Sequence, residues 1–198
     1  VALSAVLIAL VIPSWDRSVM TSGVFRQAPV YLALLGSADR LERAFAAYRT
    51  VYYREGSEAV VAVFDRPTLE GPPHRVLTID GKVDASTGAD MATQVLSGHL
   101  PFLFRPDARN ALVIGLASGV TVGALARHPL EGIDVIEVEP AVVEASRSFD
   151  GASGAPLRDP RVKVSIDDGR RYLQRASVRY DVIVSEPSNP WLSMSARL

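Results

Sequence analysis

Residues 110–139 read NALVIGLASGVTVGALARHPLEGIDVIEVE, and their order decides what kind of sheet the chain builds. An apolar strand, Ala111 to Gly115, enters a turn of mostly small residues, Gly115-Leu116-Ala117-Ser118-Gly119. A helical segment, Val120 to Arg127, follows, and then a second apolar strand, Ile133 to Val138. A strand without polar alternation is buried on both faces, and strand–helix–strand order makes neighbouring strands parallel with right-handed crossovers. The alternation continues with a helix at Ala141 to Phe149, a loop rich in Gly and Pro at Gly151 to Pro160, and a strand at Val162 to Ile166. A short helix at Arg170 to Arg175 and a fourth strand at Tyr180 to Ser185 complete it.

The expected fold class is therefore α/β. Residues 106–198 form a Rossmann-like (class I methyltransferase-like) parallel sheet, truncated at its C-terminal end. Before it lies a small antiparallel β lead-in with a helix, residues 50–105. Val51 to Arg54, Ala59 to Asp65 and Arg75 to Ile79 are rich in β-formers and are separated by Gly and Pro clusters. Asp80-Gly81 is a strong hairpin signal. Asp90 to Leu103 reads as one helix with Met91, Val95 and Leu96 facing inward. Residues 17–49 read as a linker with a short helix at Ala38 to Tyr48, and Thr21 to Leu35 shows no clear period.

Residues 1–16 begin VALSAVLIALVI. As a helix these twelve residues span about 18 Å, less than the roughly 30 Å of a bilayer core. They fit either a buried element or the end of a transmembrane helix. Trp15 and Arg17 suit a membrane interface, and Arg17 and Arg26 favour a cytoplasmic side for the rest of the chain. A start without Met and an end soon after a strand suggest a piece of a longer protein, in which an unfinished sheet would leave an edge to cover.

Composition excludes several chemistries. There is no cysteine, so thiolate ligands and cysteine nucleophiles are ruled out. His74, His99 and His128 lack metal-ligand spacing, and no metal is expected. A net charge of −1 gives no footprint for nucleic acid.

Four groups of residues carry the candidate site, each following a strand of the parallel sheet, at the edge where open α/β sheets bind ligands. The turn holding Gly115, Ala117 and Gly119 lets backbone N–H groups approach a ligand, although Ala117 stands where a G-x-G-x-x-G pattern has its second glycine. Glu137, about 20 residues beyond the turn, can accept hydrogen bonds from both ribose hydroxyls. Glu139 would share its strand face, and the plainer reading leaves both glutamates at an exposed strand end. Asp167-Asp168-Gly169 follows the third strand, where one aspartate can accept from an adenine amino group and the other cap the next helix. Ser185-Glu186-Pro187-Ser188-Asn189-Pro190-Trp191 follows the fourth, with Glu186 its only carboxylate.

Together these residues resemble the spermidine synthase family of aminopropyltransferases, from about Tyr52 to the C-terminus. Leu77-Thr78-Ile79-Asp80-Gly81 looks like the family's strand and turn. Asp159-Pro160-Arg161-Val162 with Asp167-Asp168-Gly169, and Tyr180-Asp181-Val182-Ile183-Val184, look like its later signatures. The apolar start and the Glu-Pro-Ser-Asn-Pro-Trp loop look most like bacterial relatives fused to a membrane region. The resemblance implies aminopropyl transfer from decarboxylated S-adenosylmethionine to a diamine such as putrescine, releasing methylthioadenosine. It implies that Gly115 and Gly119 line the adenosyl ligand, Glu137 holds its ribose and Asp168 its adenine. Glu186 occupies the position of the catalytic aspartate, Asn189 that of a second loop aspartate, and Asp84 that of a glutamine. Glu186 is one methylene longer than the aspartate, and Asn189 carries no charge. Asp80, Asp84 and Asp90 could restore charge at the amine site.

Two other functions stay open: a methyltransferase using S-adenosylmethionine, and a non-catalytic adenosyl-ligand-binding domain of a membrane protein. The β-rich lead-in argues against the first. A polyamine is the expected small-molecule partner, and a homodimer and membrane association through the N-terminus are further expectations.

Overall fold

The computed structural model describes residues 17–185. The apolar run 1–12 and the loop carrying Glu186 and Asn189 lie outside the described residues.

Three helices open the described part: α1 (Arg17–Thr21), α2 (Val24–Leu35) and α3 (Ala38–Ala46). α2 occupies a stretch in which no period is legible, because its apolar residues fall on every side and leave no polar face to mark it. Tyr31, Phe45, Tyr48 and Phe64 form a chain of ring contacts at 5.1–5.5 Å that fastens these helices to the lead-in sheet.

The lead-in is an antiparallel meander, β1 (Arg49–Glu55), β2 (Val60–Arg66), β3 (His74–Ile79) and β4 (Lys82–Ser86), paired in chain order. At the β3–β4 turn Asp80 has φ 48° and Gly81 φ 69°, the pair of left-handed residues that a two-residue type I′ hairpin needs. That turn sets the register, with Ile79 opposite Lys82.

The helix expected over 90–103 is two helices, α4 (Met91–His99) and α5 (Pro101–Phe104). Its buried face carries Gln94 and Gly98, whereas Leu96 is 51% exposed and Met91 and Val95 are half-buried. The reason is a close helix crossing. A Cβ on Gly98 would lie 2.5 Å from Ala124 Cβ and 2.7 Å from Thr121 O, so only glycine allows α4 to lie against the helix Val120–Leu125.

The second sheet is parallel, in the order β7-β6-β5-β8. Its strands are β5 (Asn110–Ile114), β6 (Gly132–Glu137), β7 (Val162–Ile166) and β8 (Val182–Ser185). The helices α6 (Val120–Leu125), α7 (Pro140–Ser146), α8 (Asp150–Ser153) and α9 (Gly169–Arg175) lie between them. The chain moves from β5 to β6 to β7, then returns to β8 on the other side of β5. This reversal is the switch point that opens a crevice at the strands' carboxyl ends. The expected loop over 151–160 instead contains the last residues of α8 and a single 3₁₀ turn, Pro156–Arg158.

Two signature segments serve the scaffold. The Arg161 guanidinium donates to the carbonyls of Ala126, His128 and Leu130 while held by Asp159, which closes the C-terminal end of α6 onto β7. Asp181 accepts from the amides of Arg109 (2.8 Å) and Asn110 (3.0 Å), joining the starts of β5 and β8.

Both sheets share one core: Val61, Val63 and Leu77 of the lead-in cluster with Val113, Val135 and Phe149. Polar contacts reinforce the junction. Tyr52 and Arg54 both donate to Glu144 on α7, and Arg75 donates to the Ser148 carbonyl at 2.5 Å. Among the described residues no helix is long and apolar enough to cross a membrane.

Candidate functional site

The site is built at the carboxyl edge of the parallel sheet. Gly115 (φ 92°), Ala117 (φ 46°) and Gly119 (φ 77°) all adopt left-handed backbone in the turn after β5. Ala117 shows why glycine suits that position: its Cβ makes the conformation costly by roughly 1–2 kcal/mol, and the surrounding bonds hold it there. The turn bonds internally, Gly119 N–H to Leu116 O at 2.8 Å, and Ser118 Oγ donates to Gln94 Oε1 at 2.5 Å.

Glu137, the last residue of β6, is 7% exposed, so the plainer reading of an exposed strand end is overturned. Its carboxylate accepts from Leu116 N–H at 2.9 Å and Glu139 N–H at 3.0 Å. Burial raises its pKa above the usual carboxylate value, opposed by the surrounding backbone N–H donors. A carboxylate offers about four acceptor positions, so capacity remains for a ligand hydroxyl.

Glu139 is also buried, 3% exposed, but it does not continue the strand face. β6 ends at Glu137, and Glu139 caps α7 by accepting from Ala141 N–H at 2.9 Å. Its other oxygen accepts from Glu58 N–H at 2.7 Å, Ala59 N–H at 3.3 Å and Ser57 Oγ at 3.4 Å. Burial raises its pKa, but these donors outweigh that and hold it below the usual carboxylate range.

Asp167 and Asp168 follow β7, joined to Glu137 by the bond from Asp167 N–H to Glu137 O at 3.1 Å. Asp168 caps α9, its Oδ1 accepting from Arg171 N–H at 2.7 Å. Asp167 is ion-paired with Arg171 and Arg175; the Arg171 hydrogen bond is the main cause of its lowered pKa. Gly169 lies against β5, where a Cβ would be 2.6 Å from Ile114 Cγ2.

A cleft of about 500 Å³ opens here, lined by Ser57, Glu58, Val138, Pro140, Ile166, Asp167, Asp168 and Arg171. Val138 and Ile166 are each about half exposed, 52% and 51%. The Leu116–Glu137 and Asp167–Glu137 bonds bring together the Gly115–Gly119 turn, Glu137 and the Asp167–Gly169 segment, of which Asp167 and Asp168 line the cleft itself. Exposed aliphatic side chains beside carboxylates suit a ligand with an apolar ring and hydrogen-bonding groups.

The lead-in aspartates already have protein partners. Asp84 is ion-paired with Lys82, and Asp80 accepts from Val60 N–H at 2.9 Å. Asp90 accepts from the Ser86 amide and hydroxyl and from Gln94 Nε2. Among the described residues no group of three or more His, Asp or Glu could hold a metal ion.

Two contributors escape the sequence reading. Gln94 links Ser86, Asp90 and the glycine turn; its signal is the Asp90, Gln94, Gly98 stripe at i, i+4 spacing, which an apolar period overlooks. Glu55-Gly56-Ser57 reads only as punctuation between strands, although Ser57 and the following Glu58 form part of the cleft wall.

A family model described as the spermine/spermidine synthase domain matches residues 91–197, more than half of the chain. The polyamine aminopropyltransferase of Yersinia pseudotuberculosis is 30% identical over 149 residues, 74% of this chain and 49% of that protein. That of Serratia proteamaculans is 29% identical over a similar span. The chain spans about half the length of the curated relatives it matches. A spermidine synthase in complex with the transition state analogue AdoDATO superposes with a TM-score of 0.65 at 24% identity, covering 72% of this chain and 48% of that one. The spermidine synthase of Thermotoga maritima gives 0.62 at 24% identity, covering 70% and 47%. These two likenesses establish the shared fold.

Proposed function

The chain belongs to the spermine/spermidine synthase family, and from that premise we propose that it is the adenosyl-binding half of an aminopropyltransferase. In this reading decarboxylated S-adenosylmethionine sits in the cleft and a diamine such as putrescine attacks the propyl carbon bonded to its sulfonium. A new C–N bond forms as the C–S bond breaks. The sulfur keeps the electron pair and leaves as methylthioadenosine, and the amine proton passes to a carboxylate. Polyamine synthesis is the process served.

The observation that carries the proposal is the buried Glu137 carboxylate bonded to Leu116 N–H within the glycine turn. That contact supports a role for Glu137 in holding ribose hydroxyls beside the turn of Gly115, Ala117 and Gly119. Val138 and Ile166 would flank the adenine. Asp168, whose cap uses Oδ1 alone, is the candidate acceptor for its amino group, and Asp167 keeps Arg171 and Arg175 in place. Glu186 is proposed as the amine-positioning base and Asn189 as an uncharged amine contact. Asp84 and Asp90 are the weaker candidates for amine binding, since Lys82, Ser86 and Gln94 already engage them.

The test is methylthioadenosine release by the full-length protein supplied with decarboxylated S-adenosylmethionine and putrescine. Release that Glu186→Gln abolishes is the expected result, and no release with any diamine would overturn the assignment. Calorimetry with the carboxylated and decarboxylated ligands separates a methyltransferase, which would favour the former. The apolar residues 1–12 and the Trp15/Arg17 pair support membrane association of the full-length protein, with the synthase-like part cytoplasmic; fractionation of cells tests this. Light scattering tests for a homodimer.

A further inference from the structure

One wall of the cleft belongs to neither the parallel sheet nor its crossovers. Ser57 and Glu58, on the turn between β1 and β2, line the cleft together with Asp167 and Asp168. This turn comes from the lead-in sheet, and its bonds to Glu139 join residues 80 to 82 positions apart in sequence. Those hydrogen bonds bring it to the strand end it faces.

We propose that Glu139 is a positioning residue that latches the β1–β2 turn over the adenosyl cleft, so that a carboxylate which does not itself line the cleft sets the wall of the site. Three observations carry this. First, Glu139 divides its two oxygens: Oε1 caps α7 through Ala141 N–H, and Oε2 collects Glu58 N–H, Ala59 N–H and Ser57 Oγ. Second, the carboxylate is buried at 3% exposure, so these donors replace water rather than compete with it. Third, the fit leaves no room. A Cβ on Gly56 would overlap the carboxylate carbon and both oxygens of Glu139, although the φ of Gly56 lies outside the left-handed region and alanine is otherwise tolerated there. Glycine at 56 lets the turn approach the Glu139 carboxylate this closely; the backbone conformation does not call for it.

The latch rests on the adenosyl-binding reading, and two substitutions separate it from a plain helix-capping role. Glu139→Asp retains a good N-cap but is one methylene too short to span both α7 and the turn. Gly56→Ala keeps the Glu139 side chain but forces its carboxylate and the turn apart. Calorimetry on the full-length protein with methylthioadenosine should show about a tenfold weaker affinity for both variants, as the displaced turn withdraws its wall from the ligand. Both variants should stay folded with only a modest fall in melting temperature. Amide exchange at Glu58 and Ala59 should speed up in both variants without ligand.

Parent-like affinity in both variants would overturn the proposal, as would loss of affinity together with unchanged exchange at Glu58 and Ala59. If Glu139→Asp binds as the parent does while Glu139→Ala fails to fold, Glu139 is a helix cap only and the latch is refuted. If the parent protein itself does not bind methylthioadenosine, the adenosyl reading fails instead, and the exchange rates still show whether the turn is held by Glu139.

Discussion

The parallel sheet and the antiparallel lead-in share a core, yet each is secured differently. In the parallel half the tightest contacts involve backbone and aliphatic carbon. Gly98 lies against Ala124 and Thr121, Gly123 against the Ser153 carbonyl, and Gly169 against Ile114. To the shared apolar core the lead-in adds polar ties: Arg54 to Glu144, the Ser57–Ala59 turn to Glu139, and Arg75 to the Ser148 carbonyl. Contacts of the first kind are broken by an added carbon; those of the second kind are broken by a proton or a lost charge. Such a design lets the parallel sheet stay closely packed while the wall lent by the lead-in responds to its polar ties.

The largest effect should come from adding a carbon where that difference is sharpest. A Cβ at Gly123 overlaps Ser153 O, a backbone atom that cannot swing aside. Gly123→Ala should cost about 3 kcal/mol, the upper range for overpacking, read as a shift of the urea midpoint. Amide exchange should rise first around α6 and α8 and last in β2 and β3. Equal loosening of both sheets would show that they unfold as one unit.

Charge removal should strike the other side. Asp65 is buried and accepts from Arg75 Nε at 2.8 Å and from Arg49, and the Arg75 bond is the main cause of its lowered pKa. Asp65→Asn should cost about 2 kcal/mol, as expected for hydrogen bonds to a charged group. Because the folded pKa lies below the unfolded one, this stabilisation is present above about pH 4 and is lost as the pH falls through the folded value. Denaturation midpoints measured down to about pH 2 should drop in the parent and be flatter in Asp65→Asn.

Glu137 should respond to acid in the opposite direction. Its pKa is raised by burial, so its charge destabilises the folded state above the folded pKa, and protonation relieves this as the pH falls. Ligand affinity should follow the charge: methylthioadenosine binding should weaken on acidification, starting above the ordinary glutamate value of about 4.3. Glu137→Gln should lose affinity by about tenfold, since an amide must turn its NH₂ toward Leu116 or Glu139 N–H. A pH-independent affinity would remove Glu137 from the site.

The smallest effect is expected at Arg54. Its pair with Glu144 is solvent-exposed on both sides, and such pairs are screened and entropically opposed. Arg54→Ala should leave the melting temperature within experimental scatter. A clear drop would mean that the charged junction acts as a network with Tyr52.

Much of the fold is legible in the residues. Ala111–Gly115 is apolar without alternation because β5 has neighbours on both edges and cover on both faces. Asp80-Gly81 announces its hairpin because few residue pairs accept two left-handed conformations in succession. The segments that resist reading have identifiable reasons. α2 has no polar face. α4 buries Gly98, where the close crossing admits no side chain, and Gln94, which is bonded to Ser86, Asp90 and Ser118, rather than its aliphatic residues. The glycine turn, Glu137 and Asp167-Asp168 are visible as a pattern of strand ends, but their division of labour is not.

By itself the sequence determined the parallel order of the second sheet, the turn after β5 and the acidic residue at the end of β6, because periodicity, spacing and turn chemistry are local properties of neighbouring residues. Only the tertiary structure decided what each carboxylate does. Glu137 and Glu139 are two residues apart and identical as side chains. One receives Leu116 N–H from 21 residues away and retains acceptor capacity; the other receives Glu58 N–H from 81 residues away and is saturated. Their donors reach them only through the folded chain.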